Sequence, residues 1–108
     1  MKEKISYEDF TKLDLRAGTV IEAEKIEGSE KLLALKISLG DNNQKIIAGI
    51  GTKYAPDDIV GKQVIIIANL EPRKLMGHTS EGMLLAGGED KPIILIPEDS
   101  LPDGSIIH

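Results

Sequence analysis

The residues that could carry chemistry are 18 acids, 13 lysines and arginines and two histidines, with no cysteine. Histidine occurs only at 78, in a glycine-flanked stretch, and at 108, so a general base held by an orienting partner is hard to assemble. Cysteine is absent and the histidines are not clustered, which leaves no zinc ligand set. The acidic pairs Asp57-Asp58 and Glu98-Asp99 read as solvated turn charges, and Asp41-Asn42-Asn43 lacks the remaining spacing of a calcium loop. Gly49-Ile50-Gly51 has no third glycine at the dinucleotide spacing, and no Walker-type loop occurs. The expectation is a chain without catalytic residue, metal or cofactor, and not an enzyme.

What remains is a stretch of polar and basic residues, Asn69 to Met83, reading NLEPRKLMGHTSEGM between two apolar runs. Hairpin loops usually take about 2 to 5 residues, so a longer insertion asks for a reason, and ordered loops on a sheet often carry function. Arg73 and Lys74 lie in it, with Lys31 as a third cation elsewhere in the chain. Lysines suit phosphate, and Asn69 and Ser80 can donate to sugar or phosphate oxygens; such contacts position a nucleic acid without reading its sequence. Met83 can lie against a base or ribose through its thioether, or fill a core. Ser80 as a plain turn residue, Asn69 capping its own loop and His78 as a surface loop residue are the alternatives.

Composition limits the choices. At 108 residues, 41% hydrophobic and 29% charged, the sequence fits one folded domain, 1–108. No run of about 18 apolar residues occurs, so no membrane span is expected. Met1 to Ile5 lacks a signal-like apolar stretch and there are no cysteines for disulfides, which makes the cytoplasm the default location. The net charge of -5 argues against nucleic acid, yet it is unevenly spread. Residues 84–108 hold five acids (Glu89, Asp90, Glu98, Asp99, Asp103) against Lys91, whereas residues 31–74 hold seven bases against four acids. Those lysines also fit plain solvated strand faces.

The elements that must position these residues are mainly strands. Ser6 to Leu13 predicts a short helix with Ser6 as N-cap, burying Tyr7, Phe10 and Leu13 and plugging a barrel end. Arg16 to Ile26 reads as a long strand with Ala17, Thr19, Ile21 and Ala23 on one face and Val20, Glu22 and Glu24 on the other, Gly18 marking a close backbone approach. Leu33 to Leu39 alternates as a second strand, and Gly40 to Asn43 turns into a third over Lys45 to Ile50. Pro56 opens and Gly61 closes one helical turn before the Val64–Ala68 strand. A fifth strand begins near Gly82, and Pro92 to Ile96 and Leu101 to His108 add a C-terminal extension.

This order predicts an all-β fold: a five-stranded OB-fold barrel with a short N-terminal helix and a short helix between the third and fourth strands. Its binding face spans the second and third strands, bordered by the Glu27–Glu30 and Leu70–Ser80 connections. With no Trp and only Tyr7, Phe10 and Tyr54, the chain lacks a stacking platform for single strands, so a folded RNA read by shape and backbone fits better.

Over nearly its whole length the sequence resembles the tRNA-binding OB domain attached to bacterial methionyl-tRNA synthetases and found also as free-standing proteins. The matching pieces are Phe10–Val20 (FTKLDLRAGTV), Ser29–Leu33, Ala48–Ile50 before Tyr54, Val60–Lys62, Ala68–Leu70, Lys74–Gly77 and Ser80–Met83. The resemblance implies a homodimer that binds the outer corner of tRNA, in trans, as a beta subunit or auxiliary factor of a methionyl-tRNA synthetase catalytic chain. It places RNA contacts at Lys31, Asn69, Lys74, Ser80 and Met83; Arg73 and Met76 complete the expected set. Met76 stands where the family commonly has Arg, and Glu27-Gly28 where it has His-Pro. Ile94, Ile96, Ile106 and Ile107 are the expected dimer contacts, being more apolar surface than a small barrel needs. A branch of the family resembles an export chaperone holding peptides on the same face, a second expectation favoured by Leu75, Met76 and Met83 in one loop.

Overall fold

Alternating apolar residues build the protein around one bent strand. The computed structural model describes residues 1–108, all of the chain. Strand β1 (Leu15–Lys25) pairs through its first half with β4 (Gln63–Ile67), Leu15 opposite Ile67 and Thr19 opposite Gln63. Its second half pairs with β2 (Leu33–Ser38), from Thr19 opposite Ser38 to Lys25 opposite Leu33. A bulge between Val20 and Glu22 resets the alternation. As a result Ala17 and Val20 are both fully buried while Ile21 points outward, correcting the simple two-face pattern expected from sequence. At Gly18 a Cβ would stand 2.6 Å from Ile37 Cγ2, which explains the glycine.

Strand β3 (Asn43–Ala48) starts two residues earlier than the sequence implied and pairs with β2, Ser38 opposite Asn43 and Leu33 opposite Ala48. The main sheet runs β3-β2-β1-β4-β7, with β7 at Met83–Leu84, all antiparallel. The sheet curls until β3 meets the segment before β7, giving the expected nearly closed five-stranded OB-like barrel. Leu33, Leu35, Ile37, Ile46, Ile59 and Ile66 are almost wholly buried inside it, each contributing roughly 1.5–3 kcal/mol of transfer free energy.

Two single-turn helices flank the sheet. Pro56 opens α2 (Pro56–Ile59), Asp58 Oδ2 accepts from the Ala55 N–H at 2.9 Å, and Ile59 anchors the turn in the core. The N-terminal α1 (Tyr7–Phe10) is capped by Ser6 Oγ, which accepts from the Asp9 N–H at 3.0 Å. It plugs nothing: no α1 residue is buried, and Tyr7 is 80% and Leu13 42% exposed. One helical turn cannot keep Tyr7, Phe10 and Leu13 on a common face once the chain leaves the helix at Thr11.

Two small hairpins complete the fold: β5 (Arg73–Leu75) with β6 (His78–Ser80), and β8 (Ala86–Gly87) with β9 (Ile93–Ile94). The C-terminal extension lies along the start of β1, on the side β2 leaves free. The Ala17 N–H donates to Ser105 O, Gly104 N–H to Ala17 O and Ile107 N–H to Leu15 O at 2.7–3.0 Å. Gln63 clasps the same segment, donating to Leu101 O at 2.6 Å and accepting from the Leu101 N–H at 2.8 Å.

Candidate nucleic-acid interface

The stretch that stood out in the sequence is a folded hairpin laid on the outer face of the barrel. Leu75 of β5 packs against the cluster of Ile26, Ala34 and Ile47, so an apolar patch on the outside of β2 and β3 holds the hairpin down. Its two-residue turn, Met76-Gly77, has φ of 49° and 82°, the positive pair that a tight hairpin with matching twist requires. At the tip, Met76 Cε reaches the β1–β2 connection, where a Cβ on Gly28 would lie 3.2 Å away. The two borders of the expected face therefore touch.

The expected site residues fall into two groups. Lys31, Arg73 and Lys74 are exposed, and none belongs to an ion pair; the pairs present are Lys12–Asp9, Arg16–Asp14 and Lys36–Glu22. Met76 and Met83 are 54% and 43% exposed. Arg73 and Met83 line a small cavity of about 50 Å³ with Ser80, while Lys74, opposite Thr79, alternates to the other side of the hairpin.

Asn69 and Ser80 are engaged within the fold. Asn69 Oδ1 accepts from the Asp14 N–H at 2.8 Å and its Nδ2 donates to Lys12 O at 2.7 Å, tying the chain after α1 to the end of β4. Ser80, only 5% exposed, accepts from the Ile47 N–H and donates to Gly82 O, both at 3.0 Å. Beside it, the Glu81 N–H donates to Lys45 O at 2.8 Å while Glu81 Oε1 accepts from the Lys45 N–H at 3.0 Å. Side chains thus stand in for a strand ladder at the barrel's closing seam. Among the expected dimer contacts, Ile94 is packed in the core of its own chain, Ile96 and Ile106 are 60% and 64% exposed, and Ile107 is half-buried.

Residues outside the expected set also share this face. A groove of about 640 Å³ over β1–β3 has Ala23, Ala34 and Leu35 among its lining and is flanked by Glu22, Glu24, Lys36, Lys45 and Glu81. His78, expected in a surface loop, sits half-buried in β6 with Nδ1 3.1 Å from Lys45 Nζ. The alternating lysines of β2 and β3 were visible in the sequence but indistinguishable there from solvated charges. At the opposite end of β1, Arg16 donates to both carboxylate oxygens of Asp14 and to Gly104 O. The hydrogen bond to Asp14, and then its charge, raise the Arg16 pKa above its usual value, so this tie between β1 and the extension carries full charge.

Comparison with known proteins agrees with this architecture. The family model described as "Putative tRNA binding domain" matches residues 15–105. The chain is 46% identical over 110 residues to the methionine–tRNA ligase of Caldanaerobacter subterraneus subsp. tengcongensis, covering 98% of this chain and 17% of that protein. It spans about one sixth of the length of the curated relatives it matches. Among solved structures it is similar to a MetRS related protein from Pyrococcus horikoshii, with TM-score 0.92, 29% identity and coverage of 99% and 100% of the two chains. It is comparably similar to the chaperone CsaA from Bacillus anthracis str. Ames, with TM-score 0.91, 32% identity and coverage of 98% and 100%.

Proposed function

The chain belongs to the tRNA-binding domain family, and on that premise we propose that it is a non-catalytic module holding folded tRNA by shape and backbone. The observation that carries the reading is the placement of Lys31, Arg73 and Lys74. All three are exposed and unpaired, on the hairpin and on the connection whose Gly28 the hairpin tip touches. Cations without carboxylate partners are available to phosphate, and such contacts fix the position of an RNA. Met76 and Met83 supply adaptable apolar contact beside them. Asn69 and Ser80 act in this reading by fixing the backbone around the site.

The module works as residues 1–108 in a single domain, in the cytoplasm, supplying tRNA in trans as a beta subunit or auxiliary factor of a methionyl-tRNA synthetase. Its contribution is effective concentration. A second copy covers the apolar surface of the extension, where Ile93, Leu95, Ile96 and Ile106 are 47%, 47%, 60% and 64% exposed; Ile107 borders it. Light scattering should then give a species of roughly 23 kDa, twice the 11.7 kDa chain.

A second reading, peptide binding, is favoured by the groove and its apolar lining. Gln44 also lines that groove, its amide turned inward with Nε2 donating to Ala68 O at 2.8 Å. Titration of unfractionated tRNA at several salt concentrations separates the two. RNA binding requires log affinity to fall linearly with log salt and Lys31→Glu and Lys74→Glu to weaken binding of all tRNAs alike. Absence of binding at low salt rejects the tRNA reading in favour of peptide.

A further inference from the structure

We propose that Lys45 and His78 form a phosphodiester-binding pair at the seam between β3 and β6, one whose hold on RNA tightens when His78 is protonated; this rests on the tRNA reading above. Lys36 and Lys45 stand directly opposite each other on β2 and β3. Like charges in that relation oppose strand pairing unless each is compensated. Lys36 has Glu22 at 3.8 Å on its other side. Lys45 has no carboxylate partner, and its Nζ lies 3.1 Å from His78 Nδ1.

An ammonium can only donate, so His78 Nδ1 accepts and the ring proton sits on Nε2. The pair then offers an anion the remaining ammonium N–H groups and, once His78 is protonated, the imidazolium Nδ1–H beside them. The other charged groups around it are Lys36 from β2, Glu22 and Glu24 across the groove from β1, and Glu81, whose Oε1 already accepts from the Lys45 backbone; on β5, Arg73 shares the face of His78 and Lys74 points to the other side of the hairpin. A proton on His78 removes the acceptor and sets two cations against each other. An anion bridging them relieves that repulsion, so protonation and anion binding favour one another. A phosphodiester suits the position because its two free oxygens match two donors and it remains charged across the range in which histidine titrates.

The test is tRNA binding by fluorescence anisotropy at pH 7.5 and 5.5, at fixed ionic strength. Wild type should bind about three- to tenfold more tightly at the lower pH. His78→Gln and Lys45→Gln should lose most of that change, whereas His108→Gln, the other histidine, should keep it. Binding that is insensitive to pH in wild type, or equally sensitive in His78→Gln, overturns the pair and leaves the tRNA reading standing. Failure of wild type to bind tRNA at either pH in low salt overturns both. Acid-tightened binding of an acidic peptide with none of tRNA also overturns the pair as an RNA site.

Discussion

Met76 Cε rests against Gly28, with 3.2 Å between it and the place where a Gly28 Cβ would be, and both residues have positive φ, 49° and 86°. The β1–β2 connection and the hairpin tip, far apart in sequence, therefore meet in space. A Cβ at 28 would press on the Met76 methyl, which would have to give by a few tenths of an ångström; a shorter residue at 76 would leave the two borders of the face apart.

Substituting Gly28 tests that contact. Gly28→Ala meets both the left-handed backbone and the Met76 side chain, and should lower unfolding free energy by about 1–2 kcal/mol from backbone sterics alone. Adding Met76→Ala removes the close contact but not the backbone cost, so the double variant should be more stable than the sum of the singles implies. Urea midpoints of the four proteins in the cycle measure this; additivity would mean that the contact carries no coupling.

The hydroxyl of Ser80 holds the barrel closed, and its removal should act on stability. Ser80→Ala leaves the Ile47 N–H without an acceptor in a buried seam, at a cost of about 1–3 kcal/mol. The denaturation midpoint should fall with the m-value unchanged, because the same surface is exposed on unfolding. A midpoint within error of wild type would show the seam to be held by the Glu81–Lys45 bonds alone.

Strand identity was legible because apolar alternation survives folding: Leu33, Leu35 and Ile37 point inward as their spacing implies. Pro56 and Gly61 marked α2 for equally local reasons, the latter with φ of 91°. The bulge after Val20 left no mark, since one extra residue changes which face is buried without changing composition. The cations of the candidate site were legible as types. The engagement of Asn69 with Lys12 and Asp14, more than fifty residues away, was not, nor was the meeting of His78 with Lys45, because both depend on how the sheet curls.

Gln63 fixes the C-terminal extension, and its loss should loosen that segment locally. Gln63→Ala removes bonds to Leu101 and to Asp103 while β1 keeps those to Gly104, Ser105 and Ile107. Net contributions of about 0.5–1.5 kcal/mol per bond predict amide exchange at Leu101 faster by roughly tenfold or more, with core strands little changed. If the extension carries the second copy, the dimer should also dissociate at lower dilution. Unaltered exchange at Leu101 would place the anchor in β1 and not in Gln63.

Met76→Arg asks whether the hairpin tip faces RNA. Neither Met nor Arg is β-branched, so the backbone at φ 49° should tolerate the change with similar strain, and the exposed position leaves the added guanidinium open to solvent at the hairpin tip. If the tip meets a phosphate, one new contact should steepen the dependence of log affinity on log salt by about 0.7–0.9 and tighten tRNA binding at low salt. Lys74→Gln should make that dependence shallower by a similar amount, and the double variant should return near the wild-type slope. A steeper slope requires an added phosphate contact, whereas a general increase in positive charge without one would raise affinity weakly and leave the slope nearly as it was. An unchanged slope in Met76→Arg together with a reduced one in Lys74→Gln would put the RNA on the Lys74 side of the hairpin and away from its tip.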